Sequence, residues 1–112
     1  MSIMYKSTRS NGEKVTASQA ILKGLADDGG LFVPDGIPAL DIELEKLSGL
    51  SYKETAYEVM KLFLSDFTKD ELMYCIDGAY DDKFDTDVIA PLVKKDGAFY
   101  LELFHGRTIA FK

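Results

Sequence analysis

The segment from Ser51 to Leu64 reads SYKETAYEVMKLFL and decides what kind of fold this chain adopts. It opens with a capping box, Ser51–Glu54, in which the serine and glutamate side chains accept hydrogen bonds from each other's backbone N–H groups. Apolar or small side chains then recur every three or four residues, which is the spacing of one helix face. They are Tyr52, Thr55, Ala56, Val59, Met60, Phe63 and Leu64. The pattern predicts an amphipathic helix that begins at Tyr52 and packs on a core.

A second capping box lies downstream, at Thr68–Glu71, and predicts a helix that ends near Tyr80. Its expected apolar face consists of Leu72, Met73, Cys75, Ile76 and Ala79. Cys75 is the one cysteine of the chain, so it has no disulfide partner here and fits a reducing compartment. Because its neighbours are apolar, we expect Cys75 to lie in the core.

A third capping box, Thr16–Gln19, predicts a helix that begins at Ala17. The residues at helical spacing on its expected inner face are Ala17, Ala20, Ile21, Gly24 and Leu25. The run Asp27–Gly30 is expected to end this helix, because a tandem glycine readily adopts the left-handed conformation that closes a helix.

Shorter segments on either side of these helices predict strands and turns. Residues 3–9 suit an edge strand or an extended arm, and residues 31–33, just before Pro34, suit a short strand. Residues 41–47 show a weaker helical pattern, enough for one or two turns.

The last quarter of the chain predicts a β-hairpin. Residues 91–94 and 98–103 flank Lys95-Asp96-Gly97, and Asp-Gly between two such runs is a strong hairpin signal. We therefore expect an α+β fold, with a helical N-terminal domain and short strands over residues 1–88, and a hairpin within residues 89–112.

Composition excludes several classes of function. The chain has 112 residues, of which 46% are hydrophobic and 29% charged, as in one small globular domain. Its formal net charge of −6 repels nucleic acid and anionic lipid. No stretch approaches the roughly eighteen apolar residues of a membrane span, and the first residues carry no apolar leader. We expect a cytoplasmic protein that binds neither nucleic acid nor membrane.

Few residues have the chemistry of a catalytic or metal site. One histidine and one cysteine cannot complete a zinc site or a catalytic triad, so no metal is predicted. A histidine such as His105 is more often hydrogen-bonded in a structural role than a general base, and a lysine such as Lys112 is usually solvated. Four aspartates lack calcium-loop spacing and indicate a solvated connection: Asp81, Asp82, Asp85 and Asp87.

The final segment Leu101–Lys112, LELFHGRTIAFK, changes this interpretation of Lys112. It resembles the signature of the threonine synthase family, L-E-L-F-H-G-P-T-x-A-F-K, with Arg107 in place of proline. Upstream, Tyr5–Arg9 and the later run Asp28–Pro34 also resemble that family's N-terminal region, with Ser10 where a glycine is common. The resemblance covers essentially the whole chain and assigns no role to Ser7, Thr8 or Arg9.

The resemblance implies the start of a fold-type-II enzyme that uses pyridoxal 5'-phosphate. Lys112 aligns with the lysine whose ε-amine binds this cofactor as a Schiff base and then shuttles protons, so it is the predicted catalytic and cofactor-binding residue. The family converts O-phospho-L-homoserine and water into L-threonine and phosphate, and the cofactor ring acts as the electron sink.

The resemblance also predicts that the enzyme continues past Lys112, where the residues that bind the cofactor phosphate would lie. We therefore expect the 112-residue chain alone to be inactive. Two alternatives remain at this stage. One is another fold-type-II pyridoxal-phosphate lyase, and the other is a small acidic helical module that binds a protein partner.

Overall fold

The computed structural model describes residues 2–10 and 12–109. In chain order the elements are β1 (Tyr5–Ser7), α1 (Ala17–Lys23), β2 (Phe32–Pro34), α2 (Leu44–Ser48), α3 (Tyr52–Phe63), α4 (Lys69–Ala79), β3 (Leu92–Lys95) and β4 (Ala98–Leu101). Helices and short antiparallel strands share the chain, which confirms the predicted α+β class.

The chain divides into two compact units, one ending at Tyr74 and the other beginning at Cys75. This division falls inside α4 and not at the predicted domain boundary between residues 88 and 89. The predicted boundary, which concerns domains of a larger enzyme, stays a prediction.

All three predicted capping boxes form. The Glu54 carboxylate accepts from the backbone N–H of Ser51 at 2.7 Å, and the Ser51 hydroxyl accepts from the N–H of Glu54 at 3.2 Å. Thr16 with Gln19, and Thr68 with Glu71, repeat this exchange at the starts of α1 and α4. Each box provides hydrogen-bond partners for N–H groups that have none within the helix. The predicted helix starts are therefore confirmed.

The strands form two separate antiparallel pairs. In the first unit β1 pairs with β2 in the register Lys6 to Val33, and Tyr5 forms a further bridge to Val15. In the second unit β3 pairs with β4, joined through Asp96 and Gly97 at φ values of 52° and 79°. Two consecutive residues with positive φ are typical of a tight hairpin turn, so the predicted hairpin is confirmed.

The expected inner face of α1 is wrong in part. Ala17 and Ala20 are buried, but Ile21 is 61% exposed and Leu25 is 58% exposed. The helix ends at Lys23, ahead of the predicted stop, because Gly24 adopts a positive φ of 75° and turns the chain away. Leu25 therefore lies beyond the helix, and the buried stripe of this short element consists of its two alanines.

The core position predicted for Cys75 is also wrong, because its thiol is exposed. The buried stripe of α4 passes through Leu72 and Ile76, which are one helical turn apart. Cys75 precedes Ile76 and so lies roughly 100° away around the helix axis, outside that stripe. Similarly, α3 forms where predicted, but none of its side chains is fully buried.

Among the described residues, no helix combines the length and the apolar character that a membrane span requires.

The exposed position of Cys75 predicts fast chemical labelling. We expect Ellman's reagent to titrate one thiol in the native chain at a rate close to that in denaturant, because no packing has to open first. The measurement is the absorbance time course with and without guanidinium chloride. A native thiol that reacts only on the timescale of unfolding would show that Cys75 is in the core after all.

Candidate functional site

In the second unit, the side chain of His105 lies between two carboxylates. His105 is the one histidine of the chain. The ring atom Nδ1 lies 2.5 Å from Asp85 Oδ1, and Nε2 lies 2.6 Å from Glu102 Oε2. Asp85 belongs to the connection that follows α4, while Glu102 follows β4 directly. The imidazole side chain is 12% exposed, so the two acidic groups replace most of its water. We call His105, Asp85 and Glu102 the histidine clamp.

The clamp favours the protonated form of the ring. A neutral imidazole has a single N–H donor, so it cannot donate to two carboxylates, whereas the protonated ring can. The hydrogen bond to Glu102 is the largest cause that raises the pKa of His105, and the bond and charge of Asp85 add to it, against desolvation. With both nitrogens engaged, His105 has none available as a general base. Its arrangement agrees with the structural role expected from the sequence.

Backbone contacts hold the same segment in place. The N–H of Asp85 donates to the carbonyl of His105 at 3.1 Å, and the N–H of Glu102 donates to the carbonyl of Pro91 at 2.9 Å. A side-chain carbon added to Gly106 would lie 3.4 Å from the ring of Phe84, so the chain passes close to that ring. Residues 102–106 are therefore held by contacts with Asp85, Pro91 and Phe84.

Lys112, the predicted cofactor-binding residue, lies outside the described residues. The described chain reaches Ile109, whose N–H donates to the carbonyl of Gly106 at 3.0 Å in a turn.

The first unit contains a separate polar cluster around Ser7, whose side chain is almost fully buried. The Ser7 hydroxyl donates to Asp28 Oδ1 at 2.6 Å and accepts from the N–H of Arg9 at 3.1 Å. Asp28 Oδ1 also accepts from the N–H of Gly30 at 2.9 Å. These bonds, led by the one from Ser7, lower the pKa of Asp28. We call this group the Ser7 cluster.

Arg9 completes the cluster by donating from Nη1 to the backbone carbonyl of Asp28 at 3.0 Å. A cleft of about 190 Å³ lies beside it, and its lining includes Ser7, Ser10, Asp27 and Asp28. The Ser7 hydroxyl donates a hydrogen bond to the Asp28 carboxylate, which also accepts one from a backbone N–H. The cluster therefore joins β1 to the loop before β2. We therefore interpret the cluster as a structural element.

Sequence reasoning missed two parts of these sites. The run Asp27–Gly30 was interpreted as a helix stop and as part of the family resemblance, and neither interpretation indicated that Asp28 is the acceptor of the Ser7 cluster. The connection predicted to be solvated keeps Asp85 73% exposed, but the sequence did not indicate that Asp85 binds His105 or that Asp81 pairs with Lys83. No cluster of metal-ligating side chains occurs in residues 2–10 and 12–109. Nothing in the local pattern indicates which aspartate reaches a histidine twenty residues away.

Comparison with known proteins identifies the family. The sequence matches the family described as threonine synthase N terminus over residues 4–80. The chain belongs to this family. Threonine synthase from Schizosaccharomyces pombe is 42% identical over 98% of the chain, which spans 22% of that relative.

Solved structures agree with the family. The PLP-bound threonine synthase from Brucella melitensis superposes with a TM-score of 0.81 at 36% identity, over 98% of this chain and 24% of that one. Threonine synthase from yeast gives a TM-score of 0.80 at 35% identity, over 96% of this chain and 23% of that one. The chain thus spans about a quarter of the length of these threonine synthases.

The Ser7 cluster predicts that Gly30 cannot carry a side chain. An added Cβ would lie 2.1 Å from Ser7 Oγ and 3.0 Å from Asp28 Oδ1, so we expect Gly30→Ala to lower the free energy of unfolding by about 1–3 kcal/mol. Gly36→Ala is the control, because its Cβ meets nothing within 4 Å, and its effect should stay within about 0.5 kcal/mol. Urea unfolding followed by circular dichroism measures both. Equal stabilities would contradict the close approach of Gly30 and Ser7.

The histidine clamp predicts a pKa for His105 above its ordinary value of 6.5. Because the folded pKa is raised, the clamp contributes its full stability below the unfolded pKa and loses it as pH rises through the folded pKa. Proton NMR of the ring gives this pKa without assignment, since the chain has one histidine. Glu102→Gln should lower it more than Asp85→Asn does. A titration at or below the ordinary value would disprove the clamp.

Proposed function

We propose that this chain is the N-terminal part of threonine synthase, the pyridoxal-phosphate lyase that converts O-phospho-L-homoserine and water into L-threonine and phosphate. The observation that carries the proposal is the match to threonine synthases along nearly the whole chain, from the N-terminal family region to the segment that ends in Lys112. One of the matching structures is described as PLP-bound.

The residues of this chain fit one part of a cofactor site. Lys112 has the primary amine that covalent attachment of pyridoxal phosphate requires. In the second unit His105 has both nitrogens bound to carboxylates, so it does not compete with Lys112 for the role of base. The phosphate of the cofactor would be bound by residues of the larger protein.

In this proposal Lys112 has two tasks. Its ε-amine would hold the cofactor, and its free Nζ would take protons from substrate carbons and return them. The cofactor supplies an electron sink for the charge that develops on those carbons. Both tasks require the amine to return to the same place, which makes the position of the segment before it important.

The remaining expectations follow from this assignment. Residues 1–88 form the N-terminal domain, and residues 89–112 begin the catalytic domain. The protein is cytoplasmic, and its net charge of −6 disfavours binding to nucleic acid. A small acidic interaction module, the alternative from another class, would explain this charge but not the similarity to threonine synthases through the segment before Lys112.

The proposal predicts that Lys112 is the attachment point of the cofactor. In the full-length protein that contains this chain, reduction with borohydride should fix pyridoxal phosphate to Lys112, as measured by peptide mass spectrometry. Lys112→Ala should remove this adduct and abolish phosphate release from O-phospho-L-homoserine. Lys95→Ala is the matched control, because Lys95 lies exposed in the hairpin and its loss should change neither measurement.

Two results would contradict the proposal. One is a full-length protein in which borohydride traps no cofactor at Lys112 under conditions that saturate other pyridoxal-phosphate enzymes. The other is unchanged threonine formation by the Lys112→Ala variant. The purified 112-residue chain provides a further check, since we expect it to form no threonine even with cofactor and substrate added.

A further inference from the structure

The histidine clamp joins two parts of the second unit that are distant in sequence, the connection after α4 and the segment after β4. We propose that the clamp is a proton-dependent switch, in which Asp85 is bound to the His105 ring while the ring carries both protons and is released when the ring becomes neutral. Glu102 stays bound in both states. This inference goes beyond the proposed function, because it concerns described residues of the second unit and involves neither Lys112 nor a cofactor.

The first argument is the number of protons that the ring can donate. Each ring nitrogen lies within hydrogen-bond distance of a carboxylate oxygen, Nδ1 at 2.5 Å from Asp85 and Nε2 at 2.6 Å from Glu102. An ionised carboxylate only accepts, and a neutral imidazole has one N–H. In the neutral ring, one nitrogen therefore faces a carboxylate with no hydrogen between them. One of the two contacts has to be lost.

The second argument identifies the contact that is lost. The side chain of Asp85 is 73% exposed, whereas that of Glu102 is 27% exposed. A released Asp85 carboxylate is therefore hydrated directly, while Glu102 would keep its charge in a half-buried place where hydration is poorer. The backbone of Glu102 is also held, because its N–H donates to the carbonyl of Pro91 at 2.9 Å. The proton of the neutral ring should thus stay on Nε2, and Nδ1 should lose Asp85.

The third argument gives the direction of the pH dependence. Among residues 2–10 and 12–109, the charged groups that act on the ring are Asp85, from the connection after α4, and Glu102, from the end of β4. Phe104 also lies against the ring, with centroids 4.5 Å apart, and does not titrate. The two carboxylates raise the pKa of His105. The switch is therefore closed below the folded pKa and opens as pH rises through it.

Release of Asp85 would loosen one part of the connection that carries it. At the start of the connection, Lys83 Nζ donates to the carbonyl of Gly78 in α4 at 2.6 Å, and this contact does not involve the ring. Further on, the N–H of Asp85 donates to the carbonyl of His105 at 3.1 Å. That backbone bond does not depend on the proton, but it loses the support of the side-chain bond. Local opening is expected at residues 84–88 and not at Lys83.

The test is hydrogen–deuterium exchange mass spectrometry of the full-length protein that contains this chain, corrected for the ordinary pH dependence of amide exchange. In Asp85→Asn the side-chain amide can donate to the neutral Nδ1 or accept from Nδ1–H, so this variant should stay closed in both protonation states. Asp85→Ala should be open in both. Asp87→Asn, which changes an exposed aspartate of the same connection, is the control.

We expect exchange at residues 84–88 of the wild type to rise about 2- to 5-fold between about pH 6 and about pH 9, as the loss of one partly exposed charged hydrogen bond implies. Asp85→Asn should show no rise, Asp85→Ala should exchange fast at both pH values, and Asp87→Asn should follow the wild type. An equal rise in the wild type and Asp85→Asn would overturn the switch, and so would a wild type without a rise. None of these readouts depends on cofactor attachment, so they separate this inference from the proposed function.

Discussion

The described core is so small that polar contacts have to define much of this structure. Among residues 2–10 and 12–109, four apolar residues are buried: Ala17, Ala20, Leu72 and Ile76. Packing in a core of this size fixes the positions of few side chains, because small domains bury a low fraction of their surface. Backbone groups outside helices and strands still need partners. The capping boxes, the Ser7 cluster and the histidine clamp provide them.

The Ser7 cluster shows how a single buried hydroxyl organises a loop. Ser7 lies in β1, and its bond to Asp28 orients a carboxylate that in turn accepts from the N–H of Gly30. The same loop then enters β2, which pairs with β1. Glycine is required at position 30 for space, since any side chain would overlap the Ser7 hydroxyl. Strand pairing and loop conformation are thus coupled through one carboxylate.

The sequence predicted local features well and long-range ones poorly, for a physical reason. Capping boxes and the Asp96-Gly97 turn depend on residues within three or four positions of each other, so their partners can be identified directly. The pairing of His105 with Asp85 depends on how the chain returns across twenty residues, and no local pattern encodes it. The prediction that Cys75 lies in the core was wrong. An apolar run shows that a helix has a buried face, but it does not show how wide that face is.

The two carboxylates that bind His105 differ in their exposure to water. Glu102 is 27% exposed and Asp85 is 73% exposed, so their bonds to the ring differ in strength. Screening by water weakens an exposed ion pair, which agrees with Glu102 as the larger cause of the raised pKa. Asp85 contributes mainly through geometry, because its backbone N–H binds the His105 carbonyl whatever the charge of the ring. Glu102 is thus the larger cause of the raised pKa of His105, and Asp85 also fixes the backbone of His105 through its own N–H.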